Sequence, residues 1–375
     1  MTHPFFLHPI SLLEQAVRIP SVSGQEQAVA QFLVDAMAQL GFRSYVDAAG
    51  NAVGEAGEGP TVVLLGHIDT VAGEVPVRVE DGRLYGRGTV DAKGPFVNFI
   101  AAAARLLAAA GNHAGNHNSR TGNHAGLPLR LVLVGAVEEE AASSKGAHYV
   151  VDRYAPVACI IGEPSGWDRL TLGYKGRLLV EGRWEQAMAH SAGKDIAVAE
   201  RAVAFWNAVH AHCVAVNEGK PRLFDQIIPS LRSIHSGSDG LQDWAELTIG
   251  LRLPLGVDPH ALEQELTALA EGEDNHAGSS LLQFRGGCEA YQGEKNTPLV
   301  RAFLKGVRRV GGTPGFLLKT GTSDMNVVGP AWRCPILAYG PGDSSLDHTP
   351  EEHVEIAEFE RAVDVLEAAL RQMQA

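Results

Sequence analysis

Apolar residues fall along this chain in two rhythms, and the change between them divides it. The run Thr61-Val62-Val63-Leu64-Leu65 is unbroken, the pattern of a strand buried on both faces, and 129–134 and 158–161 repeat it. Helical spacing comes first. Two helices open the chain, and the second carries Val29, Phe32, Leu33, Met37 and Leu40 on one face with Gly41 at its end. Ser23 and Glu26 stand ahead of it at the spacing of a capping box. A further helix over 94–110 separates the first two apolar runs. Strands alternating with helices predict an α/β domain built on a largely parallel sheet.

Near Leu170 the rhythm changes. Residues 170–184 read as extended, 195–214 as an amphipathic helix, 227–234 as a strand, and 245–253 alternate like a half-buried strand. Asp258 caps a helix with Pro259 at its first position, and 281–284 closes the set. That β-α-β-β-α-β order predicts a ferredoxin-like unit with one open sheet face. Beyond it lie a helix over 297–310, a short buried strand over 335–339, and a final helix opened by Thr349, Pro350 and Glu352 as a second capping box. The expected fold is α/β: a mostly parallel-sheet catalytic domain over 1–170 and 288–375, interrupted by a smaller ferredoxin-like α+β domain over 171–287. The Gly/Asn-rich tract 111–126 reads as a mobile surface loop. Its His113, His117 and His124 invite a metal reading, but such tracts have no fixed ligand geometry.

Composition narrows the class. With 375 residues, 45% hydrophobic and 20% charged, the chain reads as two soluble globular domains. A formal charge of −13 argues against a general affinity for nucleic acid or an anionic membrane. The four cysteines form no Cys-x-x-Cys pair and read as reduced thiols. No apolar run reaches the ~18 residues of a membrane span, and no secretory leader is visible at the N-terminus. The expectation is a soluble cytoplasmic protein.

The candidate chemistry sits just past the ends of the apolar runs, where open α/β sheets bind ligands. His67 and Asp69, in Gly66-His67-Ile68-Asp69-Thr70, face the same way on an extended chain. They read either as a structural hydrogen-bonded pair or as a metal ligand with its orienting carboxylate. Asp91, in Gly88-Thr89-Val90-Asp91-Ala92-Lys93-Gly94, reads as a helix cap or as a carboxylate brought close to a metal. The triplet Glu138-Glu139-Glu140 needs either solvation or a cation. Glu163 and His348 complete the set of strand-end and helix-start positions. Nitrogen and oxygen donors without thiolates suit zinc, manganese or cobalt in a hydrolytic site.

As a set, these motifs resemble the dinuclear-zinc amidohydrolase and peptidase family, which includes acetylornithine deacetylase, succinyl-diaminopimelate desuccinylase and glutamate carboxypeptidase. The resemblance implies two zinc ions per subunit, replaceable by cobalt, and covers nearly the whole chain. It makes His67 a ligand of one ion, Asp69 the residue that orients it, and Asp91 the bridge, with Glu163 completing one ion and His348 the other. The family's Glu-Glu pair maps to Glu139 as general base and Glu140 as ligand, or, one residue earlier, to Glu138 as base and Glu139 as ligand. His190, in a Gly-x-x-x-His-Ser-like region, would hold the oxyanion. The implied reaction is amide hydrolysis, with the base carrying a proton from water to the leaving amine.

Within that family, Tyr174-Lys175-Gly176-Arg177, Gly162-Glu163-Pro164-Ser165 and Lys319-Thr320-Gly321-Thr322-Ser323-Asp324 are most similar to amino-group-carrier-protein lysine hydrolases. This implies release of lysine or ornithine from the γ-carboxyl of a carrier protein's C-terminal glutamate, in lysine and arginine biosynthesis. Arg177, Lys319 and Thr322 would grip substrate carboxylates, and Asp324 would sense the amine. Such a carrier is acidic, so a basic patch is required, for which Arg83, Arg87, Lys93, Lys175 and Arg177 are the candidates. The resemblance also implies a homodimer formed through the inserted domain. Rival readings are an N-acyl amino acid deacylase or dipeptidase, and a non-catalytic metal-binding scaffold.

Overall fold

Each apolar run becomes a central strand of one sheet. The computed structural model describes residues 8–113, 127–188, 196–273 and 279–374. The chain separates into two compact units: Met1–Gly173 with Gly293–Leu318 and Ser323–Ala375, and Tyr174–Gln292 with Lys319–Thr322. In the larger unit, strands Arg130–Ala136, Thr61–His67, Ala158–Gly162 and Ile336–Ala338 lie side by side and parallel. Antiparallel strands Ala52–Ala56 and Arg43–Val46 extend one side of that block. The protein is an α/β fold with a mostly parallel central sheet.

Helix Lys93–His113 crosses this sheet closely because the strands carry glycines where it lands. A Cβ on Gly162 would stand 2.9 Å from both the Gly66 Cα and the Phe99 ring. By length and composition the Lys93–Gly111 stretch could cross a membrane, yet 67% of its apolar window is buried inside the protein. Phe96, Phe99 and Ile100 from this helix join Leu64, Leu133 and Ile160 in the core.

The smaller unit has a four-stranded antiparallel sheet in the order Ile228–Ser238, Gln242–Leu253, Gly176–Ala187, Ser279–Cys288. That is the ferredoxin-like arrangement. Leu178, Val180 and Trp184 pack with Phe205 and Val209 of helix Val198–Val216 and with Leu262 and Leu266 of helix Pro259–Glu273. The alternate positions of the same strand, including Glu181 and Arg183, lie on the other face.

Both expected capping boxes are absent. Helix Gln27–Gln39 begins after Glu26 with no side-chain cap, and the final helix, Ile356–Met373, begins after Glu355, also uncapped. Residues His353–Glu355 instead form a short strand against Arg83–Tyr85. Ser23, Glu26 and Glu352 turn away from the helices to bond elsewhere. By contrast, Asp258 accepts from the His260 N–H at 2.9 Å and Thr297 from the Val300 N–H at 3.1 Å, both at helix starts. Of the 111–126 tract, 114–126 with His117 and His124 lies outside the described residues, while His113 ends a helix.

Candidate metal centre

Parallel neighbours end on the same edge of a sheet, so residues following them are brought together. His67 ends strand Thr61–His67, Glu139 and Glu140 follow Arg130–Ala136, and Glu163 follows Ala158–Gly162. Asp91 lies in the turn before helix Lys93–His113, and His348 follows the turn Ser344–Leu346. All belong to the larger unit.

Asp91 stands between the two imidazoles. His67 Nε2 is 3.0 Å from its Oδ1, and His348 Nε2 is 3.0 Å from its Oδ2. His348 Nε2 is also 2.8 Å from Glu140 Oε1, whereas His67 Nε2 is 4.0 Å from Glu163 Oε1 and 3.9 Å from Glu139 Oε2. Three groups of donor atoms are close enough to hold an ion. Two share Asp91, namely His67 with Asp91 and Glu163, and Asp91 with Glu140 and His348; the third is His67 with Glu139 and Glu140.

The electrostatics follow from burying like charges together. Burial raises the Glu139 carboxyl well above its usual range, and the nearby Glu163, Asp324 and Glu140 charges add to this against the pull of His67. Burial works the same way on Asp91, but hydrogen bonds with His348 and His67 outweigh it and hold this carboxyl well below the usual range. The His348 imidazole is pushed up to about 10 by its hydrogen bonds to Asp91 and Glu140. Among the described residues no lysine or arginine pairs with Asp91, Glu139 or Glu140. In the protein alone the two histidines are their ion-pair partners. Imidazole nitrogens and carboxylate oxygens, with no thiolate in the groups, fit zinc, manganese or cobalt.

Residues behind the cluster fix its loops. Asp69, fully buried, lies 3.3 Å from His67 Nδ1 and accepts from the Ser23 hydroxyl at 2.7 Å. It also accepts the backbone N–H groups of Glu139 at 3.1 Å and Glu140 at 3.0 Å. One carboxylate therefore holds both an imidazole and the acidic loop. Glu26 accepts from the N–H groups of Gly24 at 2.8 Å and Glu138 at 3.2 Å. Sequence reasoning took Ser23 and Glu26 for a local cap; their bonds to Asp69 and Glu138, distant in the chain, are what set them apart.

The other expected residues fall as follows. Glu138 adopts a positive φ of 58° and turns its carboxylate to Ser143 at 2.7 Å and Lys145 at 3.2 Å, away from the cluster. Asp324 is buried in the larger unit, near enough to raise Glu139 by its charge. His190 lies outside the described residues. Arg177, Lys319 and Thr322 belong to the smaller unit. There Arg177 Nε donates to the Gly286 carbonyl at 3.1 Å and Thr322 accepts from Arg252 at 3.1 Å. Arg252 stands opposite Arg177 in the strand register.

The expected basic patch needs correction. Lys93 and Lys175 are buried, and their ammonium groups hold backbone carbonyls, those of Ala16 and Ile19 for Lys93 and those of Leu223 and Phe224 for Lys175. Arg87 pairs with Glu352 at 2.7 Å and Arg83 with Glu355 at 2.6 Å. Lysines in the sequence do not announce their burial.

Residues 63–372 match Peptidase family M20/M25/M40. The chain belongs to that family. It is 47% identical over 368 residues to a [LysW]-lysine hydrolase of Deinococcus radiodurans, covering 96% of each chain. It is 36% identical to a putative [LysW]-lysine/[LysW]-ornithine hydrolase of Thermococcus kodakarensis, covering 97% of this chain and 92% of that one. In fold it is similar to the M20 metallo-carboxypeptidase Sso-CP2 of Sulfolobus solfataricus, with a TM-score of 0.77, 17% identity and coverage of 98% and 99%. This M20 chain is a metal-dependent hydrolase of amide bonds.

Proposed function

We propose that this enzyme uses two zinc ions to release L-lysine, or L-ornithine, from the γ-glutamyl C-terminus of an acidic amino-group carrier protein in lysine and arginine biosynthesis. The observation that carries the substrate is the 47% identity, over 96% of both chains, to a [LysW]-lysine hydrolase. The metal sites rest on Asp91, whose two oxygens face different histidines. His67 and Glu163 would hold one ion, Glu140 and His348 the other, with Asp91 between them.

A bound zinc pair supplies Lewis acidity at the scissile carbonyl and lowers the pKa of water toward neutrality. The chain's own residues do the rest. Glu139 lies at the cluster but in neither of the two Asp91-sharing groups, which supports its role as the general base that carries the proton to the leaving amine. The direction of Glu138, toward Ser143 and Lys145, supports the same register. Asp69 fixes the His67 ring and the acidic loop together. His190 would hold the oxyanion, Arg177, Lys319 and Thr322 the substrate carboxylates, and Asp324 the cationic amine. Arg252 joins the carboxylate group through its bond to Thr322. On this reading the enzyme is a cytoplasmic homodimer, active also with cobalt, that takes neither nucleic acid nor membrane.

The test is mass spectrometry of zinc-loaded protein incubated separately with carrier-protein γ-glutamyl-lysine and with N²-acetylornithine. Lysine released from the carrier alone is the expected result. Cleavage of only the small acetylated substrate would overturn the assigned substrate.

A further inference from the structure

A carboxylate outside the ligand set clamps the Asp91 loop from behind. Glu352 is fully buried, with a relative exposure of 0%. Its Oε1 accepts the N–H groups of Gly88 at 2.9 Å, Val90 at 3.0 Å and Asp91 at 3.2 Å. Its Oε2 accepts from Arg87 Nη1 at 2.7 Å, and its backbone carbonyl accepts from the Gly86 N–H at 3.2 Å. These bonds all go to residues 86–91. None goes to the helix that Glu352 precedes.

The clamp is itself fixed. The strand His353–Glu355 directly follows Glu352 and pairs with Arg83–Tyr85, so both ends of the contact are in register. On the loop's other side Gly94 N–H bonds to the Gly88 carbonyl, and the Thr89 hydroxyl to the Gly86 carbonyl. The three amides and the Arg87 guanidinium are all donors, so a neutral carboxamide in place of the carboxylate sets its own N–H groups against one of them and leaves the turn free to rearrange. A ligand whose two oxygens must face two different partners tolerates displacements of only about 0.5 Å.

We propose that Glu352 is a positioning residue that sets the placement of Asp91 between His67 and His348, and thereby the metal affinity of the centre. It belongs to none of the three donor groups and acts through the backbone of the Asp91 loop. The inference rests on the reading of Asp91 as the shared ligand.

The experiment compares Glu352→Gln, Asp91→Asn and Glu55→Gln with the full-length wild type. Glu55 is a control, a buried carboxylate paired with Arg43 and Arg130 on the Ala52–Ala56 strand, outside the cluster. Zinc affinity is read by competition with a chelating dye, and the cobalt-loaded proteins are read by their visible absorption. Glu352→Gln is expected to weaken zinc binding about 10–100-fold and to change the cobalt band. Glu55→Gln, matched for loss of thermal stability, is expected to change neither. Wild-type zinc affinity and cobalt spectrum in Glu352→Gln, with Asp91→Asn impaired, would overturn the positioning role alone. Unimpaired zinc binding in Asp91→Asn would instead overturn the reading of the centre. If Glu352→Gln does not fold, Arg87→Ala removes the carboxylate's charged partner; it is expected to weaken zinc binding less, and an unchanged affinity there would count against the proposal.

Discussion

Carboxylates crowd together in both units of this protein, but they are neutralised differently. On the open sheet face of the smaller unit, Glu181 faces Arg285 at 2.9 Å, Glu185 faces Arg183 at 2.7 Å, and Glu246 pairs with Arg183 as well. At the strand ends of the larger unit, Asp91, Glu139 and Glu140 meet only the imidazoles of His67 and His348 among the described ion pairs. The first set is exposed and stays solvated; in the second the carboxylate side chains are only 11–12% exposed, and repulsion between them is less screened. The difference teaches what an acidic cluster is for. Where guanidinium groups are interleaved, the acids complete a surface, and where they are missing, the acids leave a place for a cation.

That contrast can be broken most forcefully at Glu139. Glu139→Ala is expected to lower kcat by about 10²–10⁴-fold while metal content stays at the wild-type level. Near-normal turnover would move the base to Glu138 or overturn the mechanism. A sharper distinction concerns Lys175, a buried cation of the smaller unit. Burial lowers the Lys175 ammonium to about 8, against 10.5 for the ordinary group. Its unfolded state therefore binds the extra proton between those values, and the folded state gains stability as pH rises through that window. Below about 8 both states are charged and the difference is flat. Denaturant unfolding of wild type and Lys175→Met at pH 7 and pH 9.5 is expected to show wild type gaining on the variant at the higher pH, by at most ~1.4 kcal/mol per pH unit. A constant difference would contradict this. The smallest effect is expected on the open sheet face itself. Glu181→Gln breaks an exposed pair and is expected to change stability by no more than ~1 kcal/mol in a thermal melt, leaving metal content untouched.

Much of the candidate cluster was legible in the chain because strand-end position is a sequence property. An unbroken apolar run marks a buried parallel strand, and the polar residue that follows must emerge at its end; His67, Glu139 and Glu163 are such residues. Which glutamate of the triplet faces inward was not legible. Adjacent residues on an extended chain point apart, and only the turn at Glu138, with its positive φ, turns Glu139 and Glu140 to the cluster. The two capping boxes failed for a related reason. Ser23 with Glu26, and Thr349 with Glu352, have the local spacing of a cap, but a spacing does not record competition from distant amides. Ser23 bonds to Asp69, Glu26 to Glu138 and Glu352 to the loop before Asp91, each far away in the chain. Residues that look like helix punctuation are here the supports of the site. Lys93 and Lys175 misled in the opposite direction, since a lysine reads as surface charge until its carbonyl partners are seen.

The most direct test of the central claim is anomalous diffraction from zinc-loaded crystals of the full chain. The account predicts two peaks about 3.5–4 Å apart, one on each side of the Asp91 carboxylate. One of them would lie with His67 and Glu163, and the other with Glu140 and His348. A single peak, or peaks that leave Asp91 without a metal neighbour, would contradict it.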